Sequence, residues 1–363
     1  MEYQQIEYKS IINKLKYIDT WFWCRYTLNP YRGCKHCCIY CDARRNKYNV
    51  KEFDNLVGIK TDADKVLDKR IINARTLLPD IVSFGGVCDA YQPIEEKFKI
   101  TRSVLSILIK HNWPCFLLTK SDLILRDIDL LKELSNNSYL CIAFTINTTS
   151  DSSAKYFEPF SPSPTKRFEA IAKLKSEGLY VGICLMPVLP YIWDSEEQLD
   201  NLFKKAKEVN ADFILFSSLS LGESMKNYLY SLLDQYKYGL SKKYKDIFIK
   251  GSYGPKKSYL LKLNKLIVRL SEKYNISLRV KNHYIPNDFR KNNYLLAHHL
   301  ADIAYYKQIN NKTFSSYQWA ALNILNIKED AQSLMLQGKL KNIRNYENDE
   351  IFNTAKDFLL KLK

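Results

Sequence analysis

Residues 29–44 read NPYRGCKHCCIYCDAR, and this stretch holds four of the nine cysteines of a 363-residue chain. Cys34, Cys37, Cys38 and Cys41 fall within eight positions, which is too crowded for ordinary disulfides among them. In a reducing compartment such a group of thiols is more typical of a metal site. The stretch therefore predicts a metal centre.

Two further interpretations of these cysteines stay open. A zinc site could use Cys34, Cys37, Cys38, Cys41 or His36, although zinc sites usually combine a close pair with a distant second pair. Neither a second C-x2-C pair nor an H-x3-H pair occurs elsewhere in the sequence. A shifted ligand set could start at Cys37, which is also separated by three residues from Cys41, but the third position it would need, 44, is an arginine.

Beyond the cysteine loop, short apolar runs alternate with amphipathic segments from about residue 80 to 217. The runs predict buried strands, and the apolar spacing between them predicts helices. Ser121, the Ser-Pro pair at 163–164 and the acidic residues after Ser195 are typical of helix N-termini, and Gly178 of a helix C-terminus. The predicted strands are IVSFGG (81–86), PCFLLT (114–119), YLCIAFTIN (139–147), LYVGICLMP (179–187) and ADFILFSS (211–218), and the predicted helices are 94–111, 121–135, 163–178 and 195–210.

This alternation predicts a parallel sheet with both faces covered by helices. A strand near 25–29 and the segment LVGIKTDADKVLDKRI (56–71) supply the first βα unit, for about six units instead of the eight of a full barrel. We therefore predict an α/β fold in which residues 1–221 form a partial (βα)6 barrel and residues 222–363 a mainly helical C-terminal extension. Because active sites of parallel sheets lie at the strands' C-terminal ends, we expect the site near the cysteine loop and residues 85–91, 119–121, 145–147 and 186–190.

The positive charge of the chain is concentrated in the C-terminal extension. Of a net charge of +16, residues 222–363 contribute +13, from 25 Lys and Arg against 12 Asp and Glu, and residues 1–221 contribute +3. Such a basic region favours a polyanionic partner, nucleic acid first, although a codon bias towards Lys, Asn, Ile and Tyr would give a similar excess.

Composition and hydropathy narrow the class of protein further. A hydrophobic share of 46% with only 11 Gly and 11 Pro excludes a disordered or collagen-like chain. The opening residues MEYQQIEYKS lack the apolar core of a secretory signal, and the longest uncharged stretch, 179–193, is shorter than the ~20 residues of a spanning helix. We expect a cytoplasmic protein without a membrane partner.

Five segments together resemble a known superfamily. With the spacing Cys34-x3-Cys38-x2-Cys41 and Tyr40 before the last cysteine, the chain is similar to radical S-adenosylmethionine (radical SAM) enzymes, and within them to the group related to spore photoproduct lyase, also called DNA repair photolyase-like. The resemblance covers residues 25–220 and, less closely, 279–306. Its segments are the cysteine loop, SFGGVCDAYQPIE (83–95), LLTKSDLILRDIDLL (117–131), FEPFSPSPTKRFEAI (157–171) and GICLMPVLP (182–190).

The resemblance implies two cofactors, a [4Fe–4S] cluster and SAM. Cys34, Cys38 and Cys41 would bind three irons of the cluster and leave the fourth open to the amino and carboxylate groups of SAM. An electron from the cluster would cleave SAM to methionine and a 5′-deoxyadenosyl radical, which would abstract a substrate hydrogen. The protein would position the reactants, tune the cluster and exclude water.

The resemblance also implies SAM contacts in the first half of the barrel. Tyr40 would lie against the adenine, and Gly85, Gly86 and Asp89 would bind the amino group. Lys120 would meet the carboxylate or the ribose. Structural interpretations stand beside these roles: a tight turn for the glycines, a cap for Asp89 and a solvent-exposed loop for Lys120.

Later segments supply further candidates. Thr145 and Asn147 would contact the ribose, and Met186 would add a backbone contact to the adenine, although turn contacts and core packing are alternatives. Spore photoproduct lyases carry a cysteine at the second strand end that returns a hydrogen to the product radical. A glycine stands at that position here, and the closest thiol, Cys88, is our catalytic candidate, with a buried structural role as its alternative.

The resemblance implies an enzyme that cleaves SAM reductively and abstracts a substrate hydrogen, and together with the basic C-terminal region it favours a nucleic acid, during repair or modification, as the substrate. Two alternatives stay open, because a shared fold does not fix function. One is the same chemistry on a small molecule or a protein, and the other is a non-enzymatic Fe–S or zinc protein that binds nucleic acid. For the enzyme, a reductase, a flavodoxin or a ferredoxin is the expected electron donor.

Overall fold

The computed structural model describes residues 2–44, 53–281, 283–285 and 288–362. The strands are β1 (Glu2–Gln5), β2 (Ile12–Asp19), β3 (Cys24–Leu28), β4 (Tyr31–Arg32), β5 (Leu56–Ile59), β6 (Val82–Phe84), β7 (Cys115–Thr119), β8 (Leu140–Thr145), β9 (Val181–Val188) and β10 (Ile214–Ser218). The α-helices are α1 (Ala63–Ile72), α2 (Glu95–Phe98), α3 (Ile100–Lys110), α4 (Ile128–Asn137), α5 (Asp151–Phe157), α6 (Pro164–Ser176), α7 (Glu196–Glu208), α8 (Glu223–Tyr236), α9 (Leu240–Ile247), α10 (Lys257–Tyr274), α11 (Lys291–Ile309), α12 (Ser315–Ile324), α13 (Ala331–Leu336) and α14 (Asp349–Leu359).

A seven-stranded sheet in the order β10-β9-β8-β7-β6-β3-β2 forms the centre of the fold. In this sheet the neighbouring strands β3, β6, β7, β8, β9 and β10 pair in parallel. Most of their apolar residues are buried, and in β8 all six residues are buried. The sheet curls into a half-barrel, which confirms the predicted partial (βα)6 fold.

Serine side chains begin the helices that connect these strands. Ser163 and Ser195 each accept a backbone N–H from the first turn of α6 and α7, and Ser121 does so for the 3-10 turn that precedes α4. Gly178 follows α6 with a φ of 79°, a conformation that favours glycine. The predicted helix starts and the predicted stop are therefore confirmed.

The structure corrects two details of the predicted elements. The LVGI strand, β5, pairs with β1 and β4 in a separate three-stranded sheet and is therefore not part of the central parallel sheet. Of the segment 56–71, only the helix α1 agrees with the predicted first βα unit. The predicted helix 94–111 is interrupted at Lys99, whose φ is 50°. The Glu95 carboxylate there accepts the N–H of Thr101 at 2.9 Å and so caps α3.

Contacts between Cα atoms divide the chain into two compact units. The first contains Met1–Lys14 and Cys24–Leu278, and the second contains Leu15–Trp23 and Arg279–Lys363. In the second, α11 packs against α12, α13 and α14. The predicted boundary between residues 221 and 222 remains a prediction. None of the helices in the described residues has both the length and the apolar character needed to cross a membrane.

Candidate active site

A cavity of about 320 Å³ lies in the first unit at the carboxyl ends of the parallel strands. Its walls come from the cysteine loop and from the residues that end or follow β6, β7, β8, β9 and β10. The predicted site residues that line it are Cys34, Cys38, Tyr40, Cys41, Gly85, Gly86, Cys88, Asp89, Lys120, Thr145 and Met186.

Three of the four cysteines of the loop line the cavity, and the thiol of the fourth contacts the backbone instead. Cys34, Cys38 and Cys41 line the cavity, whereas the thiol of Cys37 donates to the carbonyl oxygen of Cys34 at 3.6 Å and lies outside the described lining. Cys37 also has a φ of 51°, and its N–H donates to the same carbonyl. The fold therefore groups the three thiols of the predicted ligand set and turns the extra one aside.

The donor chemistry of these thiols fits a cluster better than one ion. Among the described residues, no three His, Cys, Asp or Glu side chains converge to hold a single metal ion. A [4Fe–4S] cluster does not need that convergence, because each thiolate binds a different iron. Burial raises the pKa of the Cys34 and Cys41 thiols, and it raises that of Cys38 to about 12 in spite of the nearby ammonium of Lys120. Metal binding would have to displace these protons.

The glycine pair after β6 combines a tight turn with open space. Gly85 has a φ of 82°, and a Cβ there would lie 1.9 Å from the carbonyl oxygen of Leu118. A Cβ on Gly86 would meet nothing within 4 Å, although this residue lines the cavity. The first glycine thus permits the turn, and the second leaves room in which the backbone can approach a ligand.

Asp89 ties the neighbouring loops together. Its Oδ1 accepts the hydroxyl of Thr119 at 2.7 Å and the N–H of Tyr91 at 2.8 Å, and its Oδ2 accepts the N–H of Lys120 at 2.7 Å. Nε2 of His36 lies 3.2 Å from Oδ2. Burial alone would raise the pKa of Asp89, but His36 and these hydrogen bonds outweigh it and lower the pKa to about 2. Asp89 therefore remains ionised and positions the loop that carries Lys120.

Lys120 places a positive charge in the cavity. Its Nζ lies 5.8 Å from the centre of the Tyr40 ring, and in the described residues it makes no hydrogen bond. Burial alone would lower the pKa of Lys120, but its interactions with Cys38 and with the charged carboxylate of Glu158 outweigh burial and raise the pKa. An ammonium with free hydrogen-bond donors is suited to bind a carboxylate or a hydroxyl group of a ligand.

A buried network lies behind Tyr40. The Tyr40 hydroxyl donates to the carboxylate of Glu158, which also accepts a hydrogen bond from Arg167. Arg167 in turn donates to the carbonyl oxygen of Thr145 at 2.8 Å. Asn147 lies outside the described lining of the cavity and donates to the Tyr40 hydroxyl at 2.9 Å. The structure thus brings Asn147 to Tyr40 rather than to the cavity.

Residues 157–162, which we call the strap, hold the cysteine loop at two further points. The N–H of Ile39 donates to the carbonyl oxygen of Phe157 at 3.0 Å, and Nδ1 of His36 lies 3.2 Å from the carbonyl oxygen of Phe160. Together with the Tyr40–Glu158 hydrogen bond, these contacts fix the part of the loop between Cys34 and Cys41.

Two residue positions at the end of β10 line the cavity but were absent from our sequence prediction. Ser217 and Ser218 line the cavity beside Met186, and the Ser218 hydroxyl oxygen is buried without a hydrogen-bond partner in the described residues. The rule that selects strand ends points to them as well, because ADFILFSS ends at Ser218. A buried hydroxyl group without a hydrogen-bond partner lowers the stability of the fold unless a ligand or a water molecule forms that hydrogen bond.

Cys88 lines the same cavity with its thiol turned towards the backbone. Its Sγ donates to the carbonyl oxygen of Tyr31 at 3.1 Å, and burial raises the pKa of Cys88 to about 12. The group is therefore a protonated thiol beside the cavity.

The comparisons with known proteins agree with this geometry. The family model of the Radical SAM superfamily matches residues 28–216. This chain belongs to the radical SAM superfamily. It is therefore an enzyme of radical SAM type, and its family uses a [4Fe–4S] cluster and SAM.

Several relatives share this radical SAM region. A protein of Methanocaldococcus jannaschii is 32% identical over 207 residues, which is 56% of this chain and 75% of the relative. A protein of Mycobacterium tuberculosis is 28% identical over 258 residues, or 70% of this chain and 75% of the relative. The radical SAM Nα-GlyT isomerase of Pseudomonas phage M6 is 22% identical over 232 residues, or 63% and 47% of the two chains.

Solved structures of spore photoproduct lyase share the fold. A form with bound AdoMet and a dinucleoside spore photoproduct gives a TM-score of 0.54 at 16% identity, over 69% of this chain and 74% of that chain. A second variant gives a TM-score of 0.57 at 14% identity, over 75% and 78% of the two chains. At this identity the similarity establishes the radical SAM fold and not a shared substrate.

Proposed function

We propose that this radical SAM enzyme abstracts a hydrogen atom from a nucleic-acid substrate and thereby repairs or modifies it. In this proposal Cys34, Cys38 and Cys41 ligate the [4Fe–4S] cluster. The observation that carries it is the grouping of these three thiols, without Cys37, around one cavity at the strand ends.

The remaining walls of the cavity offer what SAM requires. Gly86 leaves space for a ligand against the backbone, and Lys120 offers an ammonium for the carboxylate or the ribose. Tyr40 presents a ring that the strap holds in place, and the Ser218 hydroxyl lacks a partner in the described residues. Asp89, with its acceptors already occupied, would act by holding Lys120 in position.

Three other predicted contacts keep distinct roles in this proposal. Thr145 and Met186 would border SAM directly, because both line the cavity. Asn147 would act through the hydroxyl of Tyr40, to which it donates.

The cofactors supply the reactive chemistry, and the protein controls where it acts. When bound, the cluster supplies the electron that cleaves SAM to methionine and a 5′-deoxyadenosyl radical, which takes a hydrogen atom from the substrate. A reductase, a flavodoxin or a ferredoxin would deliver that electron, since radical SAM enzymes need a donor. Cys88, as a protonated thiol at the wall, is the proposed source of a hydrogen atom that returns to the product radical. The thiyl radical left on Cys88 would return to the thiol by taking one electron from the same donor and one proton from solvent.

Two observations support nucleic acid as the substrate class. Residues 222–363 carry a net charge of +13, which favours a polyanion. One fold neighbour, spore photoproduct lyase, is crystallised with a dinucleoside photoproduct. The same chemistry on a small molecule or a protein is the alternative outcome of the test below.

Deuterium transfer tests the proposal. The reconstituted enzyme is reduced without oxygen and incubated with SAM and a perdeuterated DNA or RNA oligonucleotide, single-stranded or duplex, and 5′-deoxyadenosine is analysed by mass spectrometry. We expect deuterium in 5′-deoxyadenosine with at least one of these polymers. Formation of 5′-deoxyadenosine that carries no deuterium with any of them would refute nucleic acid as the substrate, and its complete absence would refute the proposed chemistry.

A matched pair of lysine variants tests the SAM site in the same assay. Lys120→Met should raise the SAM concentration at half-maximal rate by about ten- to a hundredfold, because a charged hydrogen bond contributes ~1.5–3 kcal/mol. Lys204→Met, which changes an exposed lysine of α7, should leave it unchanged. Equal behaviour of the two variants would remove Lys120 from the site.

A further inference from the structure

A second cavity, of about 380 Å³, lies beside the loop that follows β9. That loop begins after Val188, the last residue of β9, and Met186 and Pro187 of the same strand line the candidate active site. The walls of the second cavity come from this loop, from the end of α9 and from the first half of α10, and include Tyr191, Asp194 and Tyr259. The volume is within the ~300–1,000 Å³ typical of small-ligand pockets.

Tyr191 is held as an exposed aromatic surface of this cavity. The side chain is 44% exposed, and its backbone has a φ of 62°, which is rare for a bulky residue. Asp194 fixes it by accepting the N–H of Tyr191 at 2.8 Å and the hydroxyl of Tyr259 at 2.8 Å. Strained residues of this kind persist where the surroundings over-determine them, often at ligand sites.

The same surface connects to the candidate active site through packed side chains. The Tyr191 ring lies 6.3 Å from that of Tyr244, centre to centre. Tyr244 belongs to the buried apolar cluster that also contains Cys38 and Tyr40. The second cavity and the cysteine loop are therefore attached to one rigid core.

Lysines are frequent in the segment that contains α9 and the first half of α10, which form part of this cavity. Residues 241–265 contain eight lysines and one acidic residue, Asp246, and all eight lysines are exposed. Lys262 lines the cavity, and Nζ of Lys243 lies 5.6 Å from the centre of the Tyr191 ring. None of the eight forms an ion pair with a described residue, so their charges remain available to a polyanion.

We propose that this cavity binds an unpaired base of a single-stranded segment, next to the nucleotide that reacts, with the base stacked on Tyr191 and the flanking phosphates near Lys243 and Lys262. Aromatic rings interleaved with lysines are the usual means of binding single strands, because every base offers a face for stacking and every phosphate a charge. This inference rests on the proposed nucleic-acid function and names the part of the substrate that the second cavity takes.

Fluorescence anisotropy with a labelled single-stranded oligothymidylate tests this inference on the full chain. Tyr191→Ala should weaken binding about tenfold, the loss expected for one stacked base, whereas Tyr191→Phe should bind like the wild type. Lys262→Ala should reduce the slope of log K against log salt by about 0.7, because one phosphate contact is lost. Tyr238→Ala, which removes a 98% exposed tyrosine outside the cavity, is the matched control and should change neither quantity.

The outcomes separate this inference from the function on which it rests. Wild-type binding that Tyr191→Ala leaves unchanged would overturn the base site and leave the nucleic-acid function intact. Failure of the wild type to bind any single- or double-stranded DNA or RNA would overturn both. Binding of labelled polyglutamate with the same dependence on Tyr191 would overturn the base site in favour of an acidic peptide.

Discussion

Gly85 and Gly86, which follow β6, are surrounded differently, and a side chain at each position would have a different effect. Gly85 needs its positive φ and has the Leu118 carbonyl oxygen against the place of a Cβ. Gly86 has no such neighbour and instead borders the cavity. The Gly-Gly pair in the sequence predicts a turn, but only the structure separates the residue that the fold requires from the residue that a ligand requires.

Substituting each glycine by alanine should separate these two demands. Gly85→Ala should lower the free energy of unfolding by at least about 1–3 kcal/mol, because it adds backbone strain and a collision. Gly86→Ala should leave stability within about 0.5 kcal/mol but weaken SAM binding, since its methyl group enters the cavity. Urea unfolding and calorimetric titration with SAM measure the two effects. The reverse pattern would show that the roles are interchanged.

At the scale of elements, the strap and the cysteine loop form one connected unit. The buried ion pair of Glu158 and Arg167 supports Tyr40 on one side and the end of β8 on the other. Burial alone would raise the pKa of Glu158, but Arg167 and Lys120 hold it below the usual range, so the carboxylate is charged. The positions of the cysteine loop and of the end of β8, which are far apart in the sequence, thus both depend on the ion pair of Glu158 and Arg167.

A double-mutant cycle tests this dependence. Glu158→Gln and Arg167→Met should each lower the free energy of unfolding by about 3–5 kcal/mol, because each leaves a buried partner uncompensated. The double variant should lose less than the sum of the two, since it leaves neither charge behind. Urea unfolding of the four proteins gives the coupling free energy. Additive losses would indicate that the two residues stabilise the fold independently.

The alternation of elements was predictable because local signals determine it. Buried apolar runs and serine caps identify β6 to β10 and most of the helices between them. The separate pairing of β5 and the break at Lys99 were not predictable, because each depends on contacts outside the local pattern, such as Glu95 with Thr101. The strand β2 and the short helix α5 were likewise missed.

The candidate site was predictable to the level of strand ends but not of side-chain direction. Of the individually predicted site residues, all but Asn147 line the cavity, and their roles there remain predictions. No pattern in the sequence shows that the Asn147 side chain donates to the Tyr40 hydroxyl. Nor does one show that the carboxylate oxygens of Asp89 accept hydrogen bonds from the protein itself. Ser218 was within reach of the same strand-end rule.

At the scale of the whole molecule, superfamily membership and the geometry of the site support one central proposal, a [4Fe–4S] cluster bound by the cysteine loop. The radical SAM match over residues 28–216 places the chain in a family that uses a [4Fe–4S] cluster, and we propose three of the four neighbouring cysteines, those that line the cavity, as its ligands. In our proposal the basic residues of the C-terminal part bind the substrate and not the cluster, so a test of the cluster ligands must address the cysteine loop.

The most direct measurement is the iron and sulfide content, with the electron paramagnetic resonance spectrum, of anaerobically reconstituted single-alanine variants of the four loop cysteines. Our account predicts that Cys34→Ala, Cys38→Ala and Cys41→Ala lose the [4Fe–4S] signal and that Cys37→Ala, the neighbouring thiol outside the cavity lining, keeps it. Loss of the cluster in Cys37→Ala with retention in Cys34→Ala would contradict the assignment, and stoichiometric zinc without a cluster in the wild type would contradict the account as a whole.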